Sequence, residues 1–322
     1  MMTAATTSRS LAPPLRRRDQ VAWGDLAWLV WRQHRILILT TTLGVAIVAC
    51  LCWWDAANVQ HAIEQPLLLD VMLPMSTGIV AVFWGAPLLA TEYDQRTYVV
   101  AWAQDVSPVR WLVAKLVMLG GSAAVLWAIL ATAERAFITA ANANWTNGGV
   151  LYGTFGLQSY ESWQPMQVVY ALSGFVLGIA VGAVVRKTVS SIGLTFLLFI
   201  GVRGAIDGWR GHFLPPLRYV GPPTLVSLSP PDPNALVVGN SYSINAAGAR
   251  VQIPDACFNA QSGATDVACA KANGVVATYV DYQPASRVLP FHLIELGSYA
   301  VLTAALITFI VVLVRVRRTT TN

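Results

Sequence analysis

Long apolar stretches separated by short polar segments dominate the sequence. A helix needs about 20 mostly apolar residues to cross the hydrocarbon core of a bilayer, because each residue advances it by only about 1.5 Å. Six stretches reach or approach this length, so the pattern predicts an all-α polytopic membrane protein with six transmembrane helices. They cover residues 36–54, 71–91, 111–133, 162–185, a fifth stretch that starts at Thr188, and residues 296–314.

Two basic residues fall inside or near the ends of these stretches. The fifth stretch has only 15 uncharged residues before Arg203, which makes it the weakest of the six. Lys115 lies near one end of the third stretch, where we expect its long side chain to reach water.

The composition agrees with a membrane protein. Of the 322 residues, 55% are hydrophobic and 11% are charged, whereas soluble proteins are about 25% charged. The net charge of +5 does not indicate nucleic-acid binding, because the basic residues stand at the ends of apolar stretches. We therefore expect membrane lipid, and no nucleic acid, among the partners.

The distribution of basic residues predicts the orientation. Most of the 21 Lys and Arg fall in segments that are cytoplasmic if the N-terminus is cytoplasmic, and residues 55–70 contain none. The positive-inside rule then predicts that both termini are cytoplasmic. We expect the protein in the plasma membrane. The residues concerned are Arg9, Arg16, Arg17, Arg18, Arg32, Arg35, Arg96, Arg110, Lys115, Arg186, Lys187, Arg315, Arg317 and Arg318.

The predicted spans divide the chain into four regions. Residues 1–35 form a cytoplasmic N-terminus, in which residues 19–34 read as a short helix lying in the membrane interface. The alternative is that this helix simply extends the first span. Residues 36–206 hold the first five spans, with the cytoplasmic loop 92–110 between the second and the third.

The remaining two regions are an outer segment and the last span. Residues 207–289 form an extracellular region with seven Pro between Pro215 and Pro233, so we expect an irregular fold there instead of regular helix. Residues 290–322 contain the sixth span and a basic cytoplasmic tail.

Cysteine and histidine positions predict one disulfide and no metal site. Cys257 and Cys269 both fall in the extracellular region, where an oxidising environment favours a disulfide over two free thiols. Cys50 and Cys52 are two residues apart in the first span, so they face different sides of a helix. The four His are scattered without paired spacing.

Catalytic motifs are missing from the sequence. A P-loop requires GxxxxGK followed by Ser or Thr, and the closest string, which runs from Gly182 to Thr188, lacks the Gly before Lys187. The sequence also contains no GxSxG nucleophile elbow and no CxxC pair. We therefore predict no catalytic residues and no enzyme activity on this chain.

The loop between the second and third spans is the most informative segment. It resembles the intracellular loop of permeases of the type-2 ABC exporter class, particularly the actinobacterial branch, although Arg96 stands where that branch usually has Gly. A second similar motif, YQPASRVLPFHLIELG, precedes the last span, with Val288 in place of an aromatic residue. The matching loop residues are Gly85, Ala86, Pro87, Leu88, Glu92, Thr97, Ala101, Trp102, Gln104, Val106, Ser107, Arg110, Trp111 and Lys115.

The resemblance implies a division of labour between chains. The permease would pair with a second copy or a homologue, and a separate ATP-binding subunit, which carries ATP and magnesium, would dock on the loop and on the helix at residues 19–34. No cofactor would bind to this chain directly. The residues that would couple the two subunits are Glu92, Asp94, Arg96, Thr97, Trp102 and Gln104. The implied mechanism is alternating access with efflux of a hydrophobic or amphipathic substrate.

Two further groups of residues bear on transport. Gly174, Gly178 and Gly182 share one face of the fourth span and predict close helix packing, either within one subunit or between subunits. Arg203 and Glu295 lie at similar depth near the outer ends of two spans, so we hypothesise an ion pair that closes the outer side. Arg287 is a third candidate for this outer gate. In the alternative, Arg203 and Glu295 reach water separately.

Two other functions compete with a permease. A membrane enzyme acting on lipid or prenyl substrates generally needs acidic or His clusters around one cavity, and none appears here at helical spacing. A membrane sensor or immunity protein that does not transport would use the extracellular region as a ligand-binding module.

Overall fold

The computed structural model describes residues 22–59, 75–95, 107–146, 150–224, 228–259 and 264–320. Within these ranges, five helices are long and apolar enough to cross a membrane. The long helices are α1 (Trp23–Ala57), α3 (Pro108–Asn144), α5 (Gln164–Val185), α6 (Thr188–Trp209) and α8 (Val288–Thr320). The predicted second span is not among these five, and residues 71–74 of it lie outside the described ranges. Six spans therefore stay a prediction.

The helix α1 corrects the prediction of a separate helix at residues 19–34. From Trp23 onward the chain is one continuous helix through the first predicted span, as the alternative held. The sequence contains no Pro in this helix to interrupt it. With 35 residues it is about 52 Å long and exceeds the roughly 30 Å of a bilayer core.

Between α1 and α3, residues 77–94 form a composite helix, α2. It consists of Thr77–Ile79, the π-helical segment Val80–Gly85, and Ala86–Asp94. This helix packs closely against α5 at the glycines, because a Cβ on Gly178 would lie 2.6 Å from the amide nitrogen of Ala86. Gly174 and Gly182 also face α2. In the described residues the glycine face therefore packs within the subunit, in agreement with one of the two alternatives.

The bundle is organised around α5. This helix packs against α2, α3, α6 and α8, while α1 packs along α3. The chain leaves α5 at Arg186, whose left-handed backbone (φ 59°) ends the helix before α6 begins. The fifth span is thus a complete helix that continues past Arg203 to Trp209 and a short 3-10 turn at Arg210–His212.

The region between α6 and α8 is not irregular, which corrects both that prediction and the all-α class. A four-stranded antiparallel sheet has the order β1-β6-β2-β3, with β1 Leu217–Gly221, β2 Leu236–Ile244, β3 Arg250–Val251 and β6 Ala277–Gln283. The prolines flank β1 on both sides instead of interrupting it. A second, two-stranded sheet pairs β4 Phe258–Asn259 with β5 Ala264–Thr265, and the short helix α7 Val267–Ala272 also belongs to this region. Another short helix, α4 Leu157–Glu161, lies earlier in the chain, between α3 and α5.

The cysteine predictions are confirmed. Cys257 and Cys269 form a disulfide with a Cα–Cα distance of 5.4 Å. In α1, Cys50 is exposed and Cys52 is buried, as expected for two positions on different sides of a helix.

Candidate functional site

The two ends of the bundle carry different polar groups. We call the end at which α2 stops and α3 begins the loop end, and the end that carries the four-stranded sheet the sheet end. Of the predicted coupling residues, Glu92 and Asp94 lie at the loop end. The predicted outer-gate residues lie at the sheet end.

At the loop end an ion pair joins α2 to α3. The Lys115 ammonium lies 2.6 Å from Glu92 Oε1, and the Lys115 side chain is only 2% exposed. The ammonium also lies 3.7 Å from the centre of the Trp111 ring, within range of a cation–π contact. The expectation that Lys115 reaches water was wrong, because its side chain turns inward to a carboxylate that lies 23 positions earlier in the chain.

Asp94, the last residue of α2, connects the loop end to the start of α6. Its carboxylate accepts hydrogen bonds from the Thr188 backbone amide at 3.4 Å and the Thr188 hydroxyl at 3.3 Å. The Thr188 hydroxyl also lies 3.4 Å from that of Thr91. Nearby, the Arg186 guanidinium lies 5.7 Å from the centre of the Tyr93 ring. The last turn of α2 is therefore tied to both α3 and the start of α6.

The other predicted coupling residues, Arg96, Thr97, Trp102 and Gln104, lie outside the described residues. The structure thus describes both anchors of the loop at residues 92–110. On the far side the loop enters α3 at Ser107, whose hydroxyl caps the helix by accepting from the Arg110 amide at 3.3 Å.

At the sheet end, Arg203 does not pair with Glu295, which corrects the hypothesised ion pair. Arg203 pairs with Glu161, the last residue of α4, and both side chains are almost fully buried. The Arg203 guanidinium also lies over the ring of Tyr170, 3.7 Å from its centre. A buried guanidinium next to a carboxylate and an aromatic face avoids the large cost of an isolated charge.

Glu295 belongs to the same cluster through other partners. It accepts a hydrogen bond from the Tyr170 hydroxyl and pairs with Arg210 at 3.2 Å. Since Tyr170 contacts both Arg203 and Glu295, the two predicted residues lie in one network without touching. We call Glu161, Tyr170, Arg203, Arg210 and Glu295 the sheet-end network.

Arg287 is not part of this network. Its guanidinium donates to the Pro215 carbonyl and to Gln283 Oε1, both at 2.8 Å, so it ties the start of α8 to the sheet. Sequence reasoning also missed Arg210 as a network member. A usable signal was its position seven residues after Arg203, which places both on one face of a helix.

Comparison with known proteins gives one match. A family model described as "ABC-2 membrane transporter related" matches residues 24–210. No curated protein and no solved structure matches the chain. The matched residues include α1 to α6, with the Glu92–Lys115 pair and four of the five residues of the sheet-end network. The four-stranded sheet, α8 and the fifth network residue, Glu295, lie beyond the match.

Proposed function

The chain belongs to the ABC-2 membrane transporter related family, and we propose that it is the permease subunit of an ATP-driven exporter. Family membership and the apolar helices indicate a membrane protein that associates with an ABC ATP-binding subunit. ATP and magnesium would bind to that subunit, and no cofactor or catalytic residue is assigned to this chain. Assignment to the actinobacterial branch stays a prediction.

We further propose six spans with both termini in the cytoplasm of the cell and the sheet on the outside. Two observations support this orientation. Basic residues concentrate on the segments of the loop end, as the positive-inside rule requires. The disulfide between Cys257 and Cys269 belongs to the sheet region, and disulfides persist on the oxidising side of a membrane. The composite helix α2 would supply the remaining span.

The observation that carries the coupling proposal is the buried pair between Glu92 and Lys115 at the base of the loop. An ATP-binding subunit that pushes on the loop would move its two anchors together, because this pair holds the end of α2 against α3. The bonds from Asp94 to Thr188 would extend the movement to α6. Packed helices respond to such a push as rigid bodies, and this is the motion that alternating access needs.

Two parts of the proposal rest on family-level expectation. A second permease, identical or homologous, would complete the transport path. The substrate would be hydrophobic or amphipathic, since apolar side chains make up most of the spans. The protein would act in the plasma membrane as an efflux component.

Co-purification tests the proposal. The full chain is expressed with its ATP-binding subunit, and residues 96–104 are replaced by a Gly-Ser segment of equal length. We expect the ATP-binding subunit to be lost from this variant. A matched control replaces residues 60–68, between the first two predicted spans, and should retain the subunit. An ATP-binding subunit that stays bound after the 96–104 exchange would contradict docking on this loop.

A second candidate function is a membrane sensor or immunity protein that does not transport. The ordered four-stranded sheet favours it, because a sheet offers a more defined ligand-binding surface than irregular chain. Ligand binding by the sheet, with no substrate movement in vesicles that contain both subunits, would favour this candidate over the exporter.

A further inference from the structure

Arg135 is an arginine on the exposed face of α3 near the sheet end. In the part of the chain that the structure describes, its guanidinium has no ion-pair partner. A cation on the lipid-facing side of a transmembrane helix is costly unless it reaches water or binds an anion. Among the described residues no carboxylate pairs with Arg135, so an anion bound there would come from outside this part of the chain.

The depth of Arg135 places it at the edge of the bilayer core. The helix α5 has 22 residues and a length of about 33 Å, close to the thickness of the core. Its first residue, Gln164, donates a hydrogen bond to the hydroxyl of Thr132 on α3. Arg135 lies three residues beyond Thr132, or about 4.5 Å further toward the sheet end. That is the level at which lipid headgroups begin.

Two neighbouring cavities meet at this arginine. One has a volume of about 420 Å³ and the other about 660 Å³, and Arg135, Thr139 and Trp163 line both. The smaller cavity is rich in hydroxyl and amide groups, whereas the larger one follows Ala136, Ala140 and Ala143 along α3. These alanines are spaced four and three residues apart, so they form one smooth apolar strip on the helix.

The charged side chains that line the two cavities indicate which kind of ligand would bind there. Neither cavity is lined by Asp or Glu, and the smaller one has His292 in its wall in addition to Arg135. The imidazole of His292 stacks on Trp163 with ring centres 4.6 Å apart and donates through Nε2 to the Tyr160 carbonyl at 3.0 Å, so both rings are held in place. A cationic group with hydroxyl neighbours favours an anion, and a guanidinium binds phosphate oxygens in pairs.

We propose that Arg135 binds the phosphate group of an anionic phospholipid, with an acyl chain lying along the strip formed by Ala136, Ala140 and Ala143. A polar cavity continuous with an apolar groove matches a headgroup joined to a chain, which a free phosphate ion does not have. A second copy fits this face less well. In a two-fold dimer the same patch meets itself, which brings a second arginine and no carboxylate.

The proposal depends on membrane insertion and is independent of the coupling mechanism. It is tested on the delipidated full chain in detergent, with short-chain phosphatidylglycerol titrated and bound lipid counted by native mass spectrometry. Phosphatidylcholine of the same chain length and inorganic phosphate serve as comparison probes. The variants are Arg135→Gln, Arg135→Lys and a control, Arg35→Gln. The control removes an exposed arginine of α1 that lies toward the loop end of the bundle, opposite to Arg135.

We expect Arg135→Gln to weaken phosphatidylglycerol binding by about tenfold or more, the effect of losing a charged hydrogen bond. Arg135→Lys should lose less, since it keeps the charge but not the paired donors. Arg35→Gln should bind like the native chain, and phosphatidylcholine should bind more weakly than phosphatidylglycerol.

Three results would overturn the proposal. The first is native affinity in Arg135→Gln. The second is inorganic phosphate that binds as tightly as phosphatidylglycerol, which would make this a simple anion site. The third is a change of oligomeric mass in Arg135→Gln with lipid binding unaltered, which would mean that a second copy covers the groove.

Discussion

The ion pair between Glu92 and Lys115 allows a quantitative prediction about the base of the loop. The Lys115 side chain is 2% exposed and that of Glu92 is 19% exposed, so the two single substitutions should differ. Glu92→Gln leaves an ammonium buried without its carboxylate, and removing one partner of a buried pair costs about 3–5 kcal/mol. Lys115→Met leaves a carboxylate that can still reach water. We therefore expect it to lower the free energy of unfolding by about 1–2 kcal/mol, between the values for surface and buried ion pairs.

The double variant, Glu92→Gln with Lys115→Met, isolates the interaction. Since it leaves no unpaired charge, its cost should be smaller than the sum of the two single costs by about 2 kcal/mol. The assay is reversible unfolding of the purified full chain in mixed micelles, with the free energy of unfolding measured for all four proteins. The exposed pair Arg218–Asp281 on the sheet, probed in the same way, should show much weaker coupling. Strictly additive losses for Glu92 and Lys115, or a Lys115→Met cost as large as that of Glu92→Gln, would show that the two side chains do not form a buried, asymmetrically exposed ion pair.

Three further predictions concern the glycine face, the disulfide and the sheet-end network. Gly178→Ala should destabilise the protein by about 1–3 kcal/mol by forcing α2 away from α5, whereas Gly193→Ala, which meets no atom within 4 Å, should not; thermal unfolding of both variants checks this. Cys257→Ser should lower the stability of the region between α6 and α8 by up to about 3 kcal/mol. We expect faster proteolysis of that region, and unchanged proteolysis would argue against a structural role of the disulfide. Arg203→Gln should cost about 3–5 kcal/mol by leaving the Glu161 carboxylate buried and unpaired, and adding Glu161→Gln should restore part of the loss; a double variant less stable than Arg203→Gln would contradict the pairing.

The long helices could be predicted from the sequence because a long apolar stretch in a membrane must satisfy its backbone hydrogen bonds internally, which a helix does. The sequence did not predict the partners of the buried charges. Lys115 and Glu92 are 23 residues apart, and whether their side chains meet depends on how two helices are rotated about their axes. The partner of Arg203 was not predictable either. Arg203 pairs with Glu161 and not with Glu295, because the short helix α4 places Glu161 at the sheet end of the bundle.

The sheet escaped prediction for a different reason. The strand β1 has five residues and β3 only two, and the nine-residue β2 has an irregular register between Val238 and Tyr242. The region therefore lacks the long alternating pattern that identifies a strand. A proline-rich sequence argues against regular structure, yet Pro222 and Pro223 follow the end of β1 and leave its ladder to β6 intact. In the sequence, Arg203 shortens the apolar stretch of the fifth span to 15 residues, but the ion pair with Glu161 allows this arginine to lie inside the helix.

The central claim, that an ATP-binding subunit docks at the loop end from the cytoplasm, is tested most directly by cysteine crosslinking. Gln95 is exposed directly after the end of α2, within the loop at residues 92–110, and Asn58 is exposed at the end of α1 that lies toward the sheet. With Cys50 and Cys52 replaced by Ala, a single new cysteine is placed at either position and treated with a short crosslinker in membranes that contain both subunits. We expect Gln95→Cys to crosslink to the ATP-binding subunit and Asn58→Cys not to do so. Crosslinking through Asn58→Cys alone would contradict both the docking site and the orientation.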